Sequence, residues 1–134
     1  MNYANSSTAY RTNAILTASS PQLIVMLYDG ARRFLTQASA AMAEHRIELA
    51  HRKLRRAEMI LRHLQGTLDT EQGEVAVNLA AVYGFYLRQC SRARFSQDPK
   101  MIDEVNAMLG QLRESWATIA AREAQPEPAA ALAS

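Results

Sequence analysis

The sequence predicts an all-α protein, an antiparallel four-helix bundle with an N-terminal arm and a flexible C-terminal tail. Four segments place apolar residues three and four positions apart, which is the period of one face of an α-helix. The chain has 134 residues, of which 49% are apolar, and only five glycines and four prolines, so it can fill one core but not many turns. We therefore expect a single domain over residues 1–134, with four helices joined by short turns.

The two ends of the chain are expected to lie outside the bundle. Residues 1–18 are rich in Ser, Thr and Asn, and their few apolar side chains follow no sustained period. This predicts an arm that docks on the bundle, which we place at residues 19–121. Residues 122–134 contain two prolines and mainly small residues, so they are expected to form a flexible tail.

The first helix is expected to begin at Pro21 and to end near Glu44. Ser20 is a good N-cap, and proline suits the first helical position because its missing N–H would have no partner there. One face is predicted to be buried, at Ile24, Leu27, Tyr28, Ala31, Phe34, Leu35, Ala38 and Met42. Val25 and Met26 lie more than roughly 100° from the centre of that face, so both are expected to face outward.

The second helix is predicted to end between Gly66 and Asp69. Its core positions alternate spacings of three and four residues, at Ile47, Ala50, Leu54, Ala57, Leu61, Leu64 and Leu68. The outward face is basic, with Arg52, Arg55, Arg56 and Arg62. We interpret this face as solvated, because it lacks stacking aromatic residues and the chain carries a net charge of only +2. An acidic protein partner and a nucleic acid remain alternatives, and a nucleic-acid-binding regulator is the alternative function.

The third helix is expected from about Glu74 to Arg94 and is apolar on two sides. The predicted core side contains Val75, Leu79, Val82, Tyr83, Tyr86, Leu87 and Cys90. The opposite side contains Val77, Ala81, Gly84 and Phe85. A helix that is apolar on two sides is typical of a central helix, of a homodimer contact or of a groove for a partner segment.

The fourth helix is predicted to start at Pro99, capped by Asp98, and to end near Ala121. Its apolar positions repeat the same alternation, at Ile102, Val105, Leu109, Leu112, Trp116 and Ile119.

No residue pattern indicates catalysis, a metal site or a cofactor. Glu48 and His51 have the Glu-x-x-His spacing of metal-binding bundles, but a second copy is missing and both point away from the seam. Cys90 is expected to be a buried thiol that behaves as a small apolar group. No N-terminal signal sequence and no membrane-spanning run is recognisable, so we expect a cytoplasmic protein without stable membrane insertion.

Three blocks of sequence carry a family resemblance. They are TASSPQLIVMLYDGARRFLTQA (17–38), LDTEQGEVAVNLAAVYGFYLRQ (68–89) and DPKMIDEVNAMLGQLRESW (98–116). Their order and spacing resemble the flagellin export chaperones, the FliS family, over roughly residues 8–118. The chain departs from the family pattern at Gly84, where an acidic residue is usual, and at Arg94, where asparagine is frequent.

The resemblance implies a cytoplasmic, non-enzymatic chaperone. Such proteins bind the C-terminal segment of flagellin, keep it from polymerising and present it to a component of the membrane export gate, and they also meet regulators of flagellar assembly. The motif residues that it carries over are Tyr10, Leu23, Met26, Leu27, Tyr28, Asn78, Leu79 and Tyr83.

These motif residues divide between packing and binding. Leu27, Tyr28, Leu79 and Tyr83 lie on the inferred core side and are expected to pack, while Asn78 could bond a partner's backbone or an adjacent helix. The resulting set of expected partner-binding residues is Tyr10, Val25, Met26, Val77, Asn78, Ala81 and Phe85. A homodimer remains open, and no nucleic acid partner is expected.

Overall fold

The computed structural model describes residues 20–123 as four α-helices. They are α1 (Pro21–Ala43), α2 (Ile47–Gly66), α3 (Glu74–Ser96) and α4 (Pro99–Glu123), with a 3₁₀ turn (Thr70–Gln72) between α2 and α3. The predicted all-α class is confirmed. The N-terminal arm with Tyr10 lies outside the described residues, as does residue 124 onward. The helix α4 extends to Glu123, so the first two residues of the predicted tail are helical.

The helix ends are set by local sequence signals, as predicted. The Ser20 hydroxyl accepts a hydrogen bond from the Leu23 N–H at 3.3 Å, and Pro21 occupies the first helical position. At the start of α4, the Asp98 carboxylate accepts from the Lys100 N–H at 3.0 Å. The chain enters α3 through Gly73, whose φ of +119° lies in a region that favours glycine.

The four helices form an antiparallel bundle in which α1 and α3 are diagonal. Both α1 and α3 pack against α2 and α4. The polar contacts between α1 and α4 show that these two helices run in opposite directions. They join Gln22 to Ala120, Asp29 to Arg113, Arg32 to Asn106 and Ser39 to Pro99. The outward faces of α1 and α3 therefore lie on opposite sides of the bundle.

The core occupies the faces that the periodicity predicts, with exceptions at two helix ends. Its large, fully buried side chains are Ile24, Tyr28, Leu35, Leu54, Leu61, Leu64, Tyr83, Ile102, Val105 and Leu109. Ile47 and Val75, both predicted to be buried, are 51% and 59% exposed. Each lies in the first turn of its helix, at the end of the bundle, and Ala76 fills the core position next to Val75.

A polar cluster lies inside this apolar core. The hydroxyls of Tyr28 and Tyr83 share a hydrogen bond, and their rings meet edge to face with centroids 6.3 Å apart. The buried side chain of Trp116 on α4 belongs to the same core, so this cluster lies where α1, α3 and α4 meet. Burial raises the pKa of Tyr28 to about 12 and also raises the pKa of Tyr83. Both phenols are therefore neutral at physiological pH.

Replacing Tyr28 with phenylalanine is expected to lower the free energy of unfolding by about 1 kcal/mol, because the Tyr83 hydroxyl loses its partner inside the core. Tyr83→Phe removes the same hydrogen bond from the other side and should also cost about 1 kcal/mol. Urea denaturation of the two single variants and the double variant tests this. The double variant should cost less than the sum of the singles, and strictly additive costs would show that the hydroxyls are not bound to each other.

Candidate functional site

The strongest candidate surface is formed by Val77, Asn78, Ala81 and Phe85, which we call the α3 surface. Successive residues of Val77, Ala81 and Phe85 are four positions apart, so they form one stripe along the helix, and Asn78 lies beside it. All four side chains are exposed, Val77 by 49% and Phe85 by 39%. As predicted, these residues face outward, and α3 is apolar on this side as well as on its core side.

The α3 surface is supported from below by a residue of the buried core. The ring of Phe85 contacts the ring of buried Tyr86, with centroids 6.1 Å apart and planes tilted by 59°. Ala81 is small, so the surface stays low between Val77 and Phe85, whereas Gly84, predicted on the same side, is covered by the side chains of Gln65 and Arg88. This relief allows the backbone or side chains of a second polypeptide to approach α3 closely.

The two candidate residues on α1 have different environments. Met26 is 67% exposed on the outward face of the helix. Val25 is half-buried and packs against the core, contrary to the expectation that it faces outward. It lies one turn before Asp29, whose carboxylate accepts a hydrogen bond from Arg113 of α4 at 2.8 Å, so Val25 is turned toward the α1–α4 contact.

Met26 and the α3 surface do not form one groove, because α1 and α3 are diagonal. They do share one end of the antiparallel bundle, at which both helices begin. Leu23 and Val75 are also exposed at this end, by 40% and 59%. A partner that contacts both Met26 and Val77 has to pass around this end of the bundle.

The helix α4 adds apolar residues that the sequence assigned to the core or left unassigned. Arg113 and Asn106 contact α1, so Met108, Leu112 and Ile119 lie roughly 100° or more around the helix, toward α3. All three are only half-buried against the core. They extend the apolar area beside the α3 surface. Half burial of these residues could not be read from a periodic pattern, which identifies a face but not how completely it is covered.

The described residues provide surfaces for binding a partner rather than groups for metal binding or nucleophilic attack. Among residues 20–123, no three His, Cys, Asp or Glu side chains are grouped so that they could hold a metal ion. His51 instead meets the Gln97 side chain at 2.9 Å, and Glu48 is exposed. Burial raises the pKa of Cys90 to about 12, which keeps its thiol protonated. No helix in this part of the chain has the length and apolarity needed to cross a bilayer.

Comparison with known proteins gives a consistent result. The family model described as "Flagellar protein FliS" matches residues 3–123. The flagellar secretion chaperone FliS of Salmonella typhimurium is 33% identical over 109 residues, which cover 80% of this chain and 81% of the relative. FliS of Vibrio cholerae is 35% identical over 103 residues, covering 75% and 76%. FliS of Bacillus subtilis is 30% identical over 112 residues, covering 84% of each protein.

Proposed function

The chain belongs to the FliS family of flagellar proteins, and on that basis we propose that it is a cytoplasmic export chaperone for flagellin. In this proposal it binds the C-terminal region of flagellin, prevents premature polymerisation and delivers the subunit to the flagellar type III export apparatus. The family membership supports a flagellar export chaperone. We further propose which segment of the client is bound and where on this chain it binds.

The observation that carries the proposal is the α3 surface. An amphipathic segment needs an apolar stripe on a fixed support, and Val77, Ala81 and Phe85 supply one along two turns of α3. Apolar side chains exposed at the shared end of the bundle continue this stripe toward Met26 on α1. A client segment that wraps around that end would bury both areas.

The proposed mechanism is competition with filament neighbours. A segment that is disordered when free buries its apolar residues on the chaperone, and ordering it on binding lowers the net affinity. The client is thereby covered in the cytoplasm and can still be released at the export gate. The part of the site assigned to Tyr10, outside the described residues, remains a prediction.

Isothermal titration of the full chain with the C-terminal segment of flagellin from the same organism tests the proposal. We expect a 1:1 complex, binding heat and a shift in gel filtration. Because the contacts are mainly apolar, the affinity should change little between low and moderate salt. An absence of both heat and shift would refute flagellin binding, and a steep loss of affinity with salt would favour the arginine-rich face of α2 instead.

A further inference from the structure

Five exposed arginines lie on α2 and on the second half of α3, and we call them the arginine surface. It consists of Arg52, Arg55 and Arg62 on α2 and Arg88 and Arg92 on α3. The antiparallel pairing of α2 and α3 brings them together. It is fixed by the ion pair between Glu58 and Arg94 and by the contact between His51 and Gln97. The two halves of the arginine surface are separated in the sequence and meet only in the fold.

The charge of the arginine surface is largely uncompensated. Among residues 20–123, no acidic side chain lies within 4.0 Å of Arg52, Arg55 or Arg88. Glu58 lies beneath the surface, but it is 3% exposed and already bound to Arg94. The five arginines and nearby Glu48 together carry +4, whereas the whole chain carries +2, so all other residues sum to −2. The chain is therefore electrostatically polarised, with its positive side on α2 and α3.

Two exposed apolar side chains lie near these arginines. Met59 lies between Arg55 and Arg62 on α2 and is 67% exposed, and Phe95 on α3 is 94% exposed. Beside Phe95 is an open pocket of about 500 Å³, lined by Ser91, Arg92, Phe95, Ser96 and Met101. Two large exposed apolar side chains within a basic surface indicate contact with another molecule.

We propose that the arginine surface is a docking site for an acidic polypeptide segment that carries at least one large apolar residue. The guanidinium group presents a planar pair of donors that matches a carboxylate, and every cation of this surface is an arginine. The apolar residue of the segment would enter the pocket beside Phe95. A nucleic acid fits less well, because the described part of this surface offers few aromatic residues for stacking, and a phosphate backbone would gain nothing from contact with Met59.

This site does not rest on the proposed function, although it adjoins the α3 surface: Arg88 is one helical turn beyond Phe85, and its guanidinium group lies beside Gly84. Phe95 is ten residues beyond Phe85, which corresponds to about 15 Å along the helix. An apolar residue in the pocket beside Phe95 therefore leaves Val77, Ala81 and Phe85 open, so that a client and an acidic segment can bind next to each other along α3. The protein would then join two polypeptides, one through apolar burial and the other mainly through charge.

Fluorescence anisotropy with synthetic probes tests the proposal on the full chain. The main probe is a labelled amphipathic peptide of about sixteen residues with glutamate on one face and leucine on the other. We expect this peptide to bind, with affinity falling steeply as salt rises. Three matched probes separate the alternatives: lysine in place of glutamate, serine in place of leucine, and an oligothymidine of similar charge.

The double variant Arg55→Glu and Arg88→Glu should weaken binding of the acidic peptide at least about tenfold, since it removes two close charge pairs. The control variant Arg33→Glu and Arg122→Glu has the same net charge but leaves this surface intact, and it should change binding less than about twofold. The proposal is overturned by equal losses in the two double variants, by equal binding of the serine probe, or by tighter binding of the oligothymidine.

Discussion

Replacing Arg94 with methionine is expected to lower the free energy of unfolding by about 3 kcal/mol, the largest stability effect among the substitutions considered. The Glu58 carboxylate lies in the α2–α3 contact, where its side chain is 4% exposed. Arg94 binds both carboxylate oxygens, one of them at 3.4 Å. Without Arg94 the carboxylate loses its main partner in a place that water reaches poorly. Arg62, 4.0 Å away, compensates only in part, because it extends into solvent.

Urea denaturation at neutral pH measures this effect, and a double variant provides its control. Replacing Glu58 with leucine together with Arg94→Met removes both charges, so most of the lost stability should return. Glu58→Leu alone should cost less than Arg94→Met, since the Arg94 side chain is 28% exposed and can turn toward water. A cost below about 1 kcal/mol for Arg94→Met would mean that Glu58 is not held as a buried charge.

Replacing Phe85 with aspartate is expected to weaken binding of the flagellin segment by roughly 30- to 1000-fold, the range of an interface hot spot. The substitution removes the largest apolar side chain of the α3 surface and places a charge in a contact that excludes water. Phe85 is outside the buried core, so the fold should persist. Titration gives the affinity, while far-UV circular dichroism and thermal melting report on folding.

Phe95→Asp is the matched control on the same helix. Phe95 is 94% exposed and lies outside the α3 surface, so this variant should bind the flagellin segment like the wild type. Equal losses for the two variants would show that charge on α3, rather than the α3 surface, determines binding. If Phe85→Asp unfolds the protein, Phe85 contributes to the core and the candidate site is wrong.

The sequence predicts the helices well because their signals are local. Ser20 and Pro21 start α1, Asp98 and Pro99 start α4, and the structure uses them as expected. The core faces follow from spacings of three and four residues. The prediction that Ile47 and Val75 are buried is wrong. A periodic pattern shows which face of a helix is apolar, but it does not show where the neighbouring helices end.

The candidate site could be predicted only in part. The exposure of Val77, Ala81 and Phe85 follows from the excess of apolar residues on α3, which one core cannot bury. The separation of Met26 from these residues depends on the order of helices around the bundle, and no single helix encodes it. The burial of Glu58 could likewise not be predicted from the sequence. Its partner is 36 positions away on another helix, and the only hint in the sequence was an arginine at a position where the family often has asparagine.

Seeded growth of flagellin filaments, followed by light scattering, tests the central claim most directly. Short filament fragments are mixed with flagellin monomers, alone or with one equivalent of the full chain. The account predicts that the wild-type chain stops elongation at a 1:1 ratio and that Phe85→Asp leaves it nearly unchanged. Unaltered growth in the presence of equimolar wild-type chain would contradict the claim that this protein keeps flagellin from polymerising.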